Sequence, residues 1–270
     1  MNGITNDWTA MLLRRITQHI KEQNWSAVFV EIIIVIAGVF IGLQVSLWNE
    51  AREEREVAES YLERIKDDLQ VDLKYYQYVI DYYSISRTHA LAALQAYEQP
   101  AESLGADFLI DLYQASQNWN LSVRRGTYNE LLATGRIGLI SSEYKRTLIN
   151  NYYESGMART STAQRNTDVT YRQKIRMQMH DVVQIQIRQN CNDSYVIDAD
   201  NFYYLRLPNS CEIDVSKEFL AAEVQALHNN NEIRQELRFQ LSANEAILGS
   251  MKNGIASASK VLSDLEANIQ

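Results

Sequence analysis

The sequence predicts an all-α protein in which one N-terminal transmembrane helix is followed by an elongated extracytoplasmic helical bundle with long amphipathic helices. Three observations predict it. The 270 residues include only 2 prolines and 10 glycines, too few turn markers for a sandwich or barrel. Residues 27–48 form a nearly uninterrupted apolar run. Apolar residues also recur at steps of three and four over residues 62–97 and 233–269, as in amphipathic helices.

The apolar run predicts a transmembrane helix over residues 25–48. Its only strongly polar side chains are Glu31 and Gln44. A helix over residues 27–48 is about 33 Å long, which is enough to cross the core of a bilayer. Trp25 and Trp48 stand at its two ends, where indole rings favour the headgroup level. A buried core helix is the alternative, but its apolar run is expected to be shorter. We therefore expect the protein to be anchored in a lipid bilayer.

Residues 1–24 are expected to form an amphipathic cytoplasmic leader. Its apolar residues recur at helical spacing, at Trp8, Met11, Leu12, Ile16 and Ile20. A frayed polar leader is the alternative interpretation. The count of lysines and arginines on the two sides of the span does not decide the orientation. Because the leader is short and a long segment translocates largely regardless of its charge, we expect residues 49–270 to be extracytoplasmic.

One line along the span carries polar and small residues, namely Glu31, Val35, Gly38, Gly42 and Asn49. At 100° per residue they all fall within about 40° of one line through Glu31. Two glycines four residues apart allow close backbone approach, and a carboxylate in lipid needs a partner or the headgroup boundary. The line predicts a helix-packing face, and hence a homo-oligomer or a membrane-protein partner. The alternative is that Glu31 simply extends to the headgroups.

The segment after the span divides into several predicted helices. The first continues without Pro or Gly until Pro100 ends it. The next two cover residues 106–119 and 123–133, and Gly135 caps the second. A third starts at Ser141 or Ser142 and extends towards residue 189, with an interruption near Gly156 or across residues 160–167. Ser216 starts another helix. The apolar side of the last helix needs a partner in the same bundle or in another subunit.

Residues 190–215 form a Cys-containing loop, with a short hairpin around Tyr195 and Tyr203. The chain has 2 cysteines, Cys191 and Cys211, and an even number in an oxidising compartment normally forms a bridge. We therefore expect a disulfide between them. The alternative is a pair of buried thiols in a cytoplasmic domain, which would also reverse the predicted topology.

Three segments taken together carry a family resemblance. They are residues 43–52 (Leu-Gln-Val-Ser-Leu-Trp-Asn-Glu-Ala-Arg), Tyr61-Leu62-Glu63-Arg64 with Asp67-Asp68-Leu69, and residues 127–135 (Thr-Tyr-Asn-Glu-Leu-Leu-Ala-Thr-Gly) followed by Tyr152-Tyr153. The chain resembles a bacterial family of single-pass inner-membrane proteins described only as a domain of unknown function. The resemblance covers about the first 155 residues, and the Trp-Asn-Glu exit from the membrane is its most specific part. It implies an inner-membrane location and no activity.

No motif for a reaction, a cofactor or a metal stands out in the sequence. The four histidines lie far apart, and phosphate-binding, dinucleotide and nucleophile motifs are missing. Asp198 and Asp200 suggest calcium, but the rest of an EF-hand is absent. The formal net charge of -8 argues against nucleic acid as a partner. We expect no enzyme activity, no cofactor and no metal.

Two further groups of residues are candidates for contacts. The cationic side chains of Arg124, Arg125 and Arg136 are expected to bind an anion or partner, or else to form internal salt bridges. The 16 tyrosines include four doublets, beginning at residues 75, 82, 152 and 203. We expect their rings to be buried with wet hydroxyls at the edge of a bundle. A ligand pocket between helices is the alternative.

Three functions remain from these observations. The first is a non-catalytic membrane-anchored scaffold or accessory subunit, which oligomerises or holds a membrane or periplasmic partner. The second is an extracytoplasmic ligand sensor. Because only the short leader lies in the cytoplasm, such a sensor would have to signal through a partner. The third is an ion-coupled stator-like subunit that uses Glu31, although such an acid is expected deeper in the membrane.

Overall fold

The computed structural model describes residues 25–119, 124–156 and 170–267. It confirms the all-α fold, and the predicted leader over residues 1–24 lies outside the described residues. The α-helices of the described part are α1 (Trp25–Ala96), α2 (Ala106–Gln114), α3 (Gly126–Ala133), α4 (Glu143–Asn150), α5 (Thr170–Gln178), α6 (Asp181–Asn190), α7 (Lys217–His228) and α8 (Asn231–Glu266). Short 3₁₀ helices cover Ala101–Ser103 and Arg136–Leu139, and a π-helix covers Asn151–Gly156.

The chain divides into two compact units, Met1–Val57 and Ala58–Gln270. In the first unit, α1 carries the predicted span. Every side chain from Phe29 to Glu56 is exposed, and Val57 is half-buried. Among the described helices, α1 is the one long and apolar enough to cross a membrane. An apolar surface of this kind is unfavourable in water, so it has to be covered by lipid or by another protein.

In the second unit, α1 ends close to where the sequence predicts. The Tyr97 N–H donates to the Ala93 carbonyl, and Pro100 follows in an extended conformation (φ -62°, ψ 137°). Proline lacks an N–H and excludes the helical conformation of the residue before it. The buried face of α1 follows the predicted three-four spacing. It includes Tyr61, Ile65, Leu69, Tyr76, Val79, Tyr83, Ala90 and Ala93.

Helix α2 lies at the centre of one hydrophobic core. It packs against α5, α6 and α7. Its side chains Phe108, Leu109 and Leu112 are at most 2% exposed. A short helix that is buried on several sides is held by packing, since isolated helices of this length are unstable. The same core includes Ala90, Ala93, Tyr97, Tyr171, Ile175, Val183, Ile187, Val224, Leu227 and Leu237.

Local capping signals were predicted correctly at three helix ends. Ser142 and Ser216 accept backbone N–H bonds from Lys145 and Phe219 at the starts of α4 and α7. Gly135 follows α3 in the left-handed region (φ 70°), and its N–H donates to the Leu132 carbonyl. Short polar side chains satisfy the free N–H groups of a first turn, and glycine adopts positive φ without a steric penalty.

One predicted helix length is wrong. Helix α2 ends at Gln114 rather than at residue 119, because Ser116 Oγ donates to the Tyr113 carbonyl and the Trp119 N–H donates to the Tyr83 hydroxyl. Both bonds offer the backbone an alternative to helix. The predicted helix from residue 143 is observed as α4 and the π-helix as far as Gly156, where the described residues stop. The alternative interruption across residues 160–167 lies outside the described residues.

A second break separates α5 from α6 and was not predicted. His180 is extended (φ -60°, ψ 142°), and its Nδ1 accepts the Val182 N–H, so it caps α6 in the way that a serine or aspartate does. The His180 N–H donates to Glu223 on α7 at 2.7 Å. Because both polar groups have partners, the chain can turn here at little cost.

The Cys-containing loop holds the predicted hairpin. Strands β1 (Ser194–Ile197) and β2 (Tyr203–Arg206) pair antiparallel, with Tyr195 opposite Leu205. Cys191 and Cys211 form a disulfide whose Cα atoms are 5.4 Å apart. Cys191 is buried in the core around α2, and Cys211 packs against that core. The bridge therefore joins both ends of the hairpin segment to the helical core.

The terminal helix α8 finds its partner in the same unit. Its residues Leu248, Met251, Ala258 and Leu265 are at most 7% exposed. The helix packs against α4, α5, α7 and the π-helix, and Gly254 lies directly against the Tyr76 ring of α1. Of the two alternatives for the apolar side of this helix, packing within the bundle is the one observed.

Candidate functional site

The predicted packing face on the span has no partner among the described residues of its unit. Glu31, Val35, Gly38, Gly42 and Asn49 are all exposed. A Cβ added at either glycine meets no heavy atom of residues 25–119, 124–156 or 170–267 within 4 Å. Within the described residues, Glu31 makes no hydrogen bond or ion pair. The face is therefore open to lipid or to a second protein, and self-association remains a prediction.

Two segments that carry the family resemblance meet around Glu130 of α3. Tyr61 Oη donates to Glu130 Oε1 at 2.7 Å, and Arg64 Nη2 donates to Glu130 Oε2 at 2.6 Å. Arg136 in turn donates to the Tyr61 hydroxyl at 3.1 Å. The bonds from Arg64 and Tyr61 hold the pKa of the Glu130 carboxyl at about 2, well below its ordinary value. This network ties α3 and the turn after it to α1.

The other two arginines of the candidate group also make internal contacts. Arg125 donates to the Tyr153 carbonyl at 2.8 Å and to Glu154 Oε1 at 2.7 Å, with its guanidinium 5.4 Å from the centre of the Tyr128 ring. The Arg124 backbone N–H donates to Asp72, while its side chain is exposed. For Arg125, the internal salt bridge is therefore the alternative observed. Arg124 offers the open cation of the group.

A buried cluster that the sequence did not single out surrounds Asp72 on α1. Asp72 is 1% exposed. Its Oδ1 accepts the Arg124 N–H at 3.0 Å, and its Oδ2 accepts the Tyr152 hydroxyl proton at 2.7 Å. Tyr76, one turn further along α1, has its hydroxyl 3.5 Å from that of Tyr152. The π-helix supplies Tyr152 and Tyr153, as π-helices often do at functional sites.

Burial dominates the electrostatics of this cluster. Loss of water around the carboxyl raises the pKa of Asp72 to about 6, although the hydrogen bonds from Arg124 and Tyr152 oppose the rise. Asp68, one turn earlier, adds a repelling negative charge. Burial also raises the pKa of Tyr152 and Tyr153 well above the ordinary range. Asp68 Oδ2 and the Tyr153 hydroxyl are buried without a hydrogen-bond partner among the described residues.

The expectation of wet tyrosine hydroxyls is wrong for most doublet residues. Tyr76, Tyr82, Tyr83, Tyr152 and Tyr153 are at most 1% exposed. Their hydroxyls lie inside the protein, where the partners include Asp72, Asp193 and the Trp119 backbone. A buried carboxylate or carbonyl satisfies a phenol as well as water does. For Tyr76 and Tyr152, the other expectation, a ligand pocket between helices, is the better description.

Tyr76 and Tyr152 line a cavity of about 290 Å³ between α1, the π-helix and α8. Its walls are formed by Tyr76, Tyr152, Gly156, Ser250, Asn253, Gly254 and Ser257. The volume is near the lower limit of small-molecule pockets, which is about 300 Å³. A few hydroxyl and amide groups among aromatic rings are the lining expected for a ligand site. This cavity is the strongest candidate for a functional site.

The carboxylates of the hairpin loop bond to other groups of the protein. Asp198 Oδ1 accepts the backbone N–H groups of Asp200 and Phe202, and its Oδ2 accepts the Tyr78 hydroxyl. The Lys74 ammonium pairs with Asp200. In the described part of the chain, no group of three or more His, Cys, Asp or Glu side chains is arranged to hold a metal ion.

The signal for the cavity was present in the sequence but ambiguous. Asp72 and Tyr76 are four residues apart and so share a helix face, and Tyr152 belongs to a doublet. Nothing local connects residue 72 with residue 152.

A scan against models of protein families, a search of curated proteins and a search of solved structures found no match to this chain.

Proposed function

We propose that this chain is a non-catalytic accessory or scaffold protein, anchored by α1 in the inner membrane of a bacterium. In this proposal residues 1–24 lie in the cytoplasm, and the unit Ala58–Gln270 lies in the periplasm, where it holds a membrane or periplasmic partner. The observation that carries the proposal is the exposed apolar surface of α1, where Phe29, Ile34, Val35, Phe40 and Ile41 are 61% to 65% exposed.

Two further features support this proposal. The disulfide between Cys191 and Cys211 is typical of an oxidising compartment, and hence of a domain outside the cytoplasm. The second unit has its own continuous core around α2, so it can fold without help from the apolar segment. The bacterial inner membrane is what the family resemblance implies.

Membrane fractionation with alkaline carbonate tests the anchor. The full chain is expected to stay with the membrane pellet. The double variant Ile36→Arg, Phe40→Arg should pass into the soluble fraction, because each arginine at the centre of a span costs about 2.5 to 3.5 kcal/mol. Val182→Arg, Ile185→Arg is the matched control, since it adds the same charges at exposed apolar positions of α6. Extraction of the unaltered chain would refute the anchor.

A ligand sensor is the second candidate function, and the cavity beside Tyr76 and Tyr152 favours it. A sensor needs a bound state that differs in its interactions with a partner. The cavity is bordered by three separate elements, so a ligand could shift their packing. The test is whether a compound that occupies the cavity changes the self-association of the full chain in detergent. An unchanged association constant with the cavity occupied would reject the sensor candidate.

A further inference from the structure

Asp72 is a buried acid that has no cationic partner in the part of the chain that the structure describes. Its two hydrogen bonds come from a backbone N–H and a phenol, both neutral donors. The charged groups that face it are Asp68 on α1 and Arg124 on the segment before α3; the first opposes ionisation and the second favours it only weakly. Arg125 is paired with Glu154. Burying a carboxylate without a paired cation costs several kcal/mol, so a positive charge nearby would be stabilising.

Tyr152 links this acid to the cavity. Its hydroxyl donates its single proton to Asp72 Oδ2, so the oxygen can act towards its other neighbours only as an acceptor. Tyr152 is also one of the residues that form the cavity wall. Negative charge on Asp72 strengthens the acceptor character of this oxygen, since hydrogen bonds in a chain polarise one another.

The remaining wall completes a site for a donor-rich cation. The hydroxyls of Ser250 and Ser257 and the amide oxygen of Asn253 can accept hydrogen bonds. Among the described residues, none of the lining side chains carries a positive charge. An anion would meet Asp72 as a like charge, and a neutral polyol would leave the charge on Asp72 unbalanced.

We propose that this cavity binds a small organic cation that carries an ammonium group, with Tyr152, Ser250 and Ser257 as hydrogen-bond acceptors and Asp72 as the balancing charge. The proposal deepens the sensor candidate by naming its ligand class, and it rests on that candidate only for its biological use. Binding itself is independent of the membrane anchor and of any partner.

Ligand-detected NMR on the detergent-solubilised full chain tests the proposal with three probes of similar size. Ethanolamine carries an ammonium group, ethylene glycol is neutral, and acetate is an anion. Saturation transfer is expected from the protein to ethanolamine and not to the other two. Equal transfer to ethylene glycol would overturn the requirement for a cation. Transfer to acetate alone would show that the cavity selects an anion and would overturn the proposal.

Two substitutions on α8 locate the binding. Ser250→Leu fills the cavity and should abolish transfer to ethanolamine. Ser242→Leu makes the same change two turns earlier on the same helix, at an exposed position, and should leave transfer unchanged. Retained transfer in Ser250→Leu would place the probe elsewhere, on the detergent or on the surface, and would overturn the proposal. Unchanged circular dichroism in both variants verifies that each is folded.

The role of Asp72 is tested in two ways. Asp72→Asn should weaken ethanolamine binding by about tenfold, the scale of a lost charge-assisted interaction. With the unaltered protein, binding should weaken as the pH falls below about 6, where Asp72 gains a proton while ethanolamine stays charged. Tyr152 and Tyr153 stay protonated across that range, because burial raises the pKa of both phenols well above it. Binding that is independent of both the substitution and the pH would reject Asp72 as the balancing charge.

Discussion

The ring of Tyr76 on α1 lies so close to Gly254 on α8 that any side chain at residue 254 would force the ring or the helix to shift. A Cβ built on residue 254 would be 2.6 Å from Tyr76 Cε1 and 2.7 Å from Cζ. Both residues are buried. Gly254 is thus required by the close approach of two helices, and the same contact forms one side of the cavity.

The first prediction concerns this contact. Gly254→Ala should lower the free energy of unfolding by about 1 to 3 kcal/mol, because the Tyr76 ring has to move out of a packed core. Gly249→Ala is the control on the same helix. It is exposed, its Cβ would meet nothing within 4 Å, and it should gain up to about 1 kcal/mol from helix propensity. Chemical denaturation measures both. Equal effects of the two substitutions would contradict the packing.

The second prediction concerns Asp72 and pH. Its folded-state pKa of about 6 lies above the ordinary value of 3.8, so the folded protein holds this proton more firmly than the unfolded chain. The resulting stabilisation is fully present below about pH 4 and is lost as the pH rises through about 6. The loss amounts to about 2 to 3 kcal/mol, because one pKa unit corresponds to about 1.4 kcal/mol.

Asp72→Asn removes this titration and provides the comparison. Denaturation is measured for both proteins between about pH 4 and pH 7. The difference in free energy of unfolding, unaltered protein minus variant, is expected to fall by about 2 to 3 kcal/mol between pH 4 and pH 7. A difference that is the same at every pH does not affect this comparison. Other carboxyls titrate in both proteins and cancel in the difference. Parallel stability curves would mean that Asp72 is not perturbed.

The third prediction concerns the disulfide. Cys191 and Cys211 are separated by 20 residues, and closing such a loop stabilises by about 3 kcal/mol in the chain-entropy account. Cys191→Ala with Cys211→Ala should therefore lose about that much stability. Reduction of the unaltered protein should produce a similar loss and should not affect the double variant. Two freely alkylated thiols in unreduced, membrane-extracted protein would rule the bridge out.

The sequence was sufficient where structure depends on neighbours along the chain. Ser142, Ser216 and Gly135 act within a few residues of their own positions, and so their roles could be predicted. The hairpin and the disulfide followed from composition and from an even count of cysteines. The break at His180 was missed because imidazole is an uncommon cap, and it becomes one here through a contact with Val182.

The cavity could not be predicted because it depends on contacts that are distant in sequence. Asp72 and Tyr152 are 80 residues apart, and no local pattern pairs them. Burial of the tyrosine hydroxyls was missed for a related reason. A tyrosine in a helical pattern is equally consistent with a wet edge and with a buried partner, and only the fold brings Asp72 and Asp193 to these phenols.

The fourth prediction concerns the span. Gly38→Ile with Gly42→Ile should weaken self-association of the transmembrane segment by about 1 to 2 kcal/mol, since larger side chains keep the backbones apart. Ala37→Ile is the matched control, because it enlarges a small residue that lies about 120° away from Glu31 around the helix. An association assay of the span in membranes measures both. If the glycine variant associates as well as the control, the packing face is not at these glycines.

The topology of the chain is the central claim of this account, because the disulfide, the anchor and the location of the cavity all depend on it. The most direct test is a reporter fused after Gln270 that is active only in the cytoplasm, compared with one that is active only outside it. We predict activity of the second reporter and none of the first, with both fusions found in the membrane fraction. Activity of the cytoplasmic reporter alone would contradict the account.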